Sequence, residues 1–160
     1  MASIAVFPGS FDPFTIGHQH IATRALSMFG EVVIAIGNNV DKQAMFTPQE
    51  RKAGIEAIFV HEPRIKVSIY SGLTIDFCQS VGAKFIVRGL RSPADFEHEM
   101  HIAQANQMMD SGIETVFLLA HPSDSGVSST LVRDVLANGG KALPFLPNAN
   151  LTNNNYPKTI

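Results

Sequence analysis

His18 stands where an apolar run has turned and a helical pattern is about to begin, within FPGSFDPFTIGHQH at residues 7–20. A helix N-terminus leaves amides without partners and carries the positive end of the helix dipole, so it favours anions. A histidine there can donate to a phosphate oxygen. Taken alone, it reads as a capping or packed side chain. Three other groups share the theme. Arg88-Gly89-Leu90-Arg91 sets two guanidinium groups about a glycine, just after an apolar run. Close cations repel unless an anion lies between them, and arginine's fork matches phosphate oxygens. Val127-Ser128-Ser129-Thr130 places three hydroxyls at a helix start. Plain N-capping needs one of them, and a phosphate site uses more. Lys42, in Asn38-Asn39-Val40-Asp41-Lys42, is a single cation and alone reads as a surface lysine.

Other chemistries have weaker support. Glu97, His98 and His101 share a helix face by spacing, but no second ligand pair accompanies them, so a solvated face is the better reading. His20, two residues beyond His18, faces another side of the helix and does not share its ligand. Gly139-Gly140-Lys141 lacks the upstream glycine of a phosphate-binding lysine loop, and no G-x-G-x-x-G follows the first apolar run. The one cysteine, Cys78, sits among apolar residues and reads as core.

These groups need elements to hold them. Five apolar runs recur, Ile4–Phe7, Val32–Ile36, Ile65–Ile69, Phe85–Val87 and Val116–Leu119. Each is too continuous for a half-exposed strand and fits a parallel sheet covered on both faces. Helical patterns alternate with them. Thr47-Pro48-Gln49-Glu50 is a capping box with proline in the first turn, and Ser92-Pro93 repeats cap and proline. A helix from Thr74 stops at Gly82, and one from about Ser128 stops at Gly139-Gly140. Alternating strand and helix predict a parallel α/β sheet with right-handed crossovers. Ligands of such a sheet bind beyond the carboxyl ends of its strands. That rule gathers 8–18, 37–42, 71–74, 88–91 and 120–130, where the polar and basic residues concentrate.

With 160 residues the chain is read as one domain over 1–147, followed by a loose asparagine-rich tail at 148–160. A net charge of −2 offers no electrostatic case for nucleic acid or an anionic membrane. No apolar run approaches ~20 residues, so no membrane span is expected, and no signal peptide is visible. A single thiol forms no intrachain disulfide, which suits a reducing cytoplasm.

Gly9-Ser10-Phe11-Asp12-Pro13 with Thr15-Ile16-Gly17-His18 resembles the signature of the T/HxGH nucleotidyltransferases. Lys42, Arg88–Arg91, the run Ala94–Met100 and Ser128–Thr130 extend the likeness to bacterial phosphopantetheine adenylyltransferases, from about residue 3 to about 147. The resemblance implies a Rossmann-like five-stranded parallel sheet with helices on both faces. It implies transfer of AMP from ATP to 4′-phosphopantetheine, with Mg²⁺, in a cytoplasmic homohexamer. By position, His18 matches the transition-state histidine. Ser10 and Phe11 match residues where ATP meets the acceptor. Lys42, Thr74 and Arg88 match acceptor-site positions. Gly89, Leu90, Arg91, Glu99 and the segment Asp124, Ser125, Gly126, Val127, Ser128, Ser129, Thr130 match ATP-site positions. No protein ligand for the metal is implied, since Mg²⁺ rides on the ATP phosphates. Two departures stand out. Position 10 is serine where threonine is frequent, and 124–126 is Asp-Ser-Gly where aromatics are expected at 124 and 126.

The chemistry suits these residues. A phosphate monoester has a second pKa of ~6, so near neutrality it is already an anionic nucleophile and needs no general base. What remains is bringing two anions together and stabilising charge on the phosphorus in transit. Asp12 is read as a brace of its loop. The rival readings are the same fold with another acceptor, such as nicotinamide mononucleotide or glycerol phosphate, and a nucleotide-binding module without turnover.

Overall fold

The computed structural model describes residues 3–39 and 43–147. Its order is β1 (Ile4–Gly9), α1 (Ile16–Ala25), β2 (Glu31–Gly37), α2 (Pro48–Ile58), β3 (Ile65–Tyr70), α3 (Thr74–Ser80), β4 (Phe85–Leu90), α4 (Pro93–Met109), β5 (Glu114–Leu119) and α5 (Ser129–Ala137), with short 3₁₀ turns at Pro122–Asp124 and Leu143–Phe145. All five strands are parallel, in the order β3-β2-β1-β4-β5. The expected tail at 148–160 lies outside the described residues, as does Lys42.

The two-residue strand period divides the core. Ala5 and Phe7 of β1 join Ile34 and Ile36 of β2 and meet Ile21, Ala22 and Ala25 of α1 with Ile55 of α2. Val6, between them, joins Val33, Ala35 and Ile86 on the opposite face, against Ile75 and Cys78 of α3. Helices therefore cover both faces, as continuous apolar strands require. Every helix but α3 starts at a capping side chain. Thr47 accepts from the Glu50 amide and Glu50 returns the bond, Ser92 accepts from Asp95, and Ser128 accepts from Leu131. The predicted stops hold as well, with Gly82 at φ 69° and Gly139 at φ 72° in the left-handed region.

Strand order reverses between β1 and β4, and there the sheet opens. β1 pairs with β2 over six residues but with β4 only at Ala5–Phe85 and Val6–Ile86. Beyond those pairs the strand ends diverge into a crevice, where the switch-point rule puts a ligand. One expectation needs correcting. The fourth strand does not stop at Val87. It runs to Leu90, so Arg88, Gly89 and Leu90 are strand rather than loop residues. Backbone ladder bonds to β5 continue through Arg88–Phe117, Gly89–Leu118 and Leu90–Leu119, whatever the side chain's polarity. Gly89 lets α1 lie close to β4, since a Cβ there would lie 3.2 Å from Cγ1 of Ile21, tighter than ordinary packing.

Candidate active site

The crevice holds two cavities with a common wall. The larger, about 670 Å³, runs from Gly37 and Asn38 past Tyr70 and Thr74 to Ile102 and Asn106. The smaller, about 290 Å³, is lined by His18, Arg91, Val127 and the hydroxyl-bearing start of α5 at Ser128, Ser129 and Thr130. Pro8, Gly9, Ser10, Arg88 and Glu99 face both.

His18 is the third residue of α1, whose N-cap is Thr15. The Thr15 hydroxyl accepts from the His18 amide at 3.4 Å, while the Thr15 amide donates to His18 Nδ1 at 3.0 Å. This is a capping box with histidine in the place of glutamate. The ring rests among three phenylalanines, with centroids 6.2 Å from Phe7, 5.0 Å from Phe11 and 5.3 Å from Phe14. That burial, then the charges of Arg88 and Arg91, lowers its pKa from 6.5 to about 3. The imidazole is neutral at working pH. An N–H donor at Nδ1 needs a lone pair there, so the ring proton sits on Nε2. Phe11 is buried and takes a left-handed backbone (φ 49°), so its ring belongs to the packing that seats His18.

The two arginines do not wait for an anion between them, as their spacing suggested. Each is met by its own carboxylate from α4. Glu99 takes Arg88 Nε at 2.7 Å and Nη2 at 2.5 Å, and Arg88 Nη1 donates to the Pro8 carbonyl. Arg91 donates through Nε to Asp95 at 3.2 Å and through Nη1 to the Val127 carbonyl at 3.3 Å. Arg88 keeps one N–H on each terminal nitrogen for a ligand. Thr74 lines the larger cavity, with its hydroxyl 2.9 Å from that of Tyr70. Ser129 donates to the Pro13 carbonyl at 2.8 Å, tying α5 to the loop after β1.

Other predicted positions fall differently. Leu90 is buried in the sheet, its carbonyl accepting from the Ala120 amide. Ser125 and Gly126 are exposed and line neither cavity. Asp124 lines the smaller cavity, but its carboxylate does not reach solvent. It is buried, 2.5 Å from His20 Nδ1, and accepts from the Ser123 hydroxyl at 2.8 Å. Burial alone raises its pKa, but the bonds from His20 and Ser123 outweigh that and hold it below the ordinary range. Asp12 braces its loop as expected, accepting from the amides of Met45 and Phe46 at 2.9 Å each. Reading by motif missed Asp95 and Arg133. Both line the smaller cavity, and Arg133 lies one turn along α5 from Ser129, the spacing that shares a face.

A neutral histidine at a helix entry, facing hydroxyls at a second helix start across the switch point of a parallel sheet, defines a Rossmann-like nucleotidyltransferase. The sequence matches the Cytidylyltransferase-like family over residues 6–135. It is 51% identical over 145 residues to a phosphopantetheine adenylyltransferase of Flavobacterium psychrophilum, covering 91% of this chain and 95% of that one. Namesakes from Flavobacterium johnsoniae and Leuconostoc mesenteroides are 52% and 46% identical, over 91% and 92% of this chain and 95% and 91% of theirs. The chain belongs to the phosphopantetheine adenylyltransferase family. Its fold is shared with a bifunctional NMN adenylyltransferase/ADP ribose pyrophosphatase from Francisella tularensis, at TM-score 0.71 and 19% identity over 93% of this chain. This chain spans 46% of that structure's length.

Proposed function

We propose a division of labour in the crevice for the family's reaction. The chain transfers the adenylyl group of ATP to 4′-phosphopantetheine, giving dephospho-coenzyme A and pyrophosphate, the penultimate step of coenzyme A synthesis. ATP occupies the smaller cavity and 4′-phosphopantetheine the larger. The observation that carries this is the common wall, since Ser10 and Arg88 face both cavities and lie where two phosphates would meet. Asn38, Asn106, Ile86 and Ile102 in the larger cavity suit an arm of amides and methylenes. An acceptor phosphate oxygen attacks the α-phosphorus, and the bond to the α,β-bridging oxygen breaks with its electron pair on pyrophosphate. No covalent enzyme intermediate is required. Arg88, Thr74 and Lys42 orient the acceptor. His18 donates from Nε2 to the α-phosphate oxygens, where charge concentrates in the transition state.

Mg²⁺ is part of this proposal and would neutralise phosphate charge when bound. The cleft's carboxylates are already engaged, Glu99 by Arg88, Asp95 by Arg91 and Asp124 by His20. The ion would therefore be held by the nucleotide's own phosphates. Homohexamer assembly is proposed too. In α4 only Glu99 is buried, while Phe96, Met108 and Met109 stand exposed outside both cavities, so this seventeen-residue helix leaves large apolar side chains for a neighbouring copy to cover. Sedimentation at several concentrations tests that. A cytoplasmic setting is proposed from the biosynthetic role, and among the described residues no helix is long and apolar enough to cross a membrane. Pyrophosphate release from ATP, compared between 4′-phosphopantetheine, nicotinamide mononucleotide and glycerol phosphate, tests the acceptor. Turnover with either of the last two at a comparable kcat/KM would refute it.

A further inference from the structure

Asp124 is the one buried residue between positions 121 and 126. The stretch His121-Pro122-Ser123-Asp124-Ser125-Gly126 has no large apolar side chain to anchor it. It leads from β5 to the hydroxyl-bearing start of α5, and Asp124 and Val127 line the smaller cavity. A carboxylate goes below the surface only with partners. Ser123 is one, but it lies in the same turn and ties that turn to nothing else. His20 of α1 is the partner from another element, with Nδ1 2.5 Å from the Asp124 Oδ2. Burial alone would raise the Asp124 carboxyl, but the bonds from His20 and Ser123 hold it low. It is ionised near neutrality and only accepts, so His20 donates from Nδ1. Arg24, one turn along the same face of α1, donates to the Leu119 carbonyl at 2.6 Å, where the stretch begins. A Cβ on Gly17 would lie 3.7 Å from Cβ of Asp124, so Asp124 rests on the first turn of α1. That turn has no acidic residue of its own, and the carboxylate supplies the negative charge that a helix start favours. The Asp124 carbonyl in turn accepts from the Val127 amide at 2.8 Å, so whatever fixes Asp124 fixes the cavity wall at Val127.

We propose that His20 is a positioning residue, whose bond to Asp124 latches the β5–α5 connection to α1 and holds it as a preformed wall of the nucleotide site. The proposal rests on the reading that the smaller cavity holds ATP. The latched helix is the one that carries His18, so wall and histidine are set by one element. Without the latch, the nucleotide must order the wall as it binds, and that cost appears as lost affinity. Bound nucleotide restores the wall, so the chemical step changes little. The larger cavity is lined by none of His20, Asp124 and Val127 and is left as it was.

The test is steady-state kinetics and AMP calorimetry on wild type, His20→Ala and His20→Asn, whose side-chain amide can stand in for the Nδ1–H. His20→Ala should raise the KM for ATP and the Kd for AMP by about 5- to 30-fold, the loss of one charge-assisted bond. The kcat should stay within about threefold and the KM for 4′-phosphopantetheine within about twofold. His20→Asn should return AMP binding to within about threefold of wild type. The Val127 amide should exchange hydrogen faster in unliganded His20→Ala and slow again with AMP. AMP binding within about twofold of wild type in His20→Ala overturns the proposal. So does an equal loss for 4′-phosphopantetheine, which marks a distorted α1, or a failure of asparagine to rescue. If His20→Ala does not fold, Asp124→Asn serves in its place. It keeps the size without the charge and should weaken AMP by about threefold to tenfold, with unchanged AMP binding overturning the proposal. In wild type, AMP should slow exchange at Val127 and the start of α5. If it does not, the reading of the smaller cavity falls and the latch with it. If it does, and His20→Ala binds AMP as wild type does, only the latch falls.

Discussion

The Thr15 amide donates to Nδ1 of His18 at 3.0 Å, and the two residues cap each other across the first turn of α1. The bond sets the tautomer and the ring's direction together, so the Nε2 proton is aimed before any substrate arrives. Preorganised donors act mainly on transition-state charge. His18→Ala should therefore lower kcat by roughly 10²–10³ while ATP affinity changes little. Steady-state kinetics with calorimetry on folded variant measures both. A kcat within about tenfold of wild type would remove His18 from the role.

Acid stability reports the same ring. Its pKa is about 3 in the fold and 6.5 as the ordinary value, so between those limits the unfolded chain binds more protons than the native one. Stability from this group is complete above 6.5, is lost as pH falls through that window, and rises with pH across it. Urea denaturation of wild type and His18→Gln from pH 3.5 to 7 should show the variant with a flatter dependence. Parallel curves would mean that His18 is not neutralised by the fold.

Arg88 and Glu99 make a second pair with a measurable coupling. Their side chains are 28% and 11% exposed, so removing one leaves the other poorly solvated. Breaking a buried pair on one side costs about 3–5 kcal/mol, whereas replacing both partners by apolar groups is often near neutral. Arg88→Met and Glu99→Met should each destabilise strongly, and the double variant should cost clearly less than their sum. A double-mutant cycle in urea decides it. Additive costs would show that the pair contributes no mutual stabilisation.

Local signals made much of this legible. Thr47-Pro48-Gln49-Glu50 and Ser92-Pro93 marked their helices because a cap and its partner lie within one turn. The Thr15–His18 box escaped notice because histidine replaces the usual glutamate. The end of β4 was misplaced because a strand read from apolar side chains stops at the first charge, although the ladder to β5 does not. What meets Arg88 and Asp124 was invisible for a different reason. Glu99 comes from the following helix, and His20 reaches Asp124 across 104 residues. Only the crossover geometry brings such partners together. The position of Lys42 lies outside the described residues.

The Asp124-Ser125-Gly126 departure yields the last prediction. The segment is fixed at one end, since Asp124 is buried on His20 and Ser123. Ser125 and Gly126 beyond it are exposed. A Cβ built on Gly126 meets nothing within 4 Å, and its backbone is not in the left-handed region, so a side chain enters without strain. The next residue, Val127, lines the smaller cavity, so a ring at 126 would start one residue from that lining. Stacking of an aromatic on a base contributes about 1–3 kcal/mol. Gly126→Phe should therefore tighten ATP binding by up to about tenfold, or leave it level if the ring does not reach the base. The melting temperature should stay near wild type, because nothing is displaced. Calorimetry and thermal melts separate the outcomes. Weakened ATP binding with an unchanged melting temperature would show that the loop must close on the nucleotide through a conformation only glycine allows, and the stacking argument would be lost.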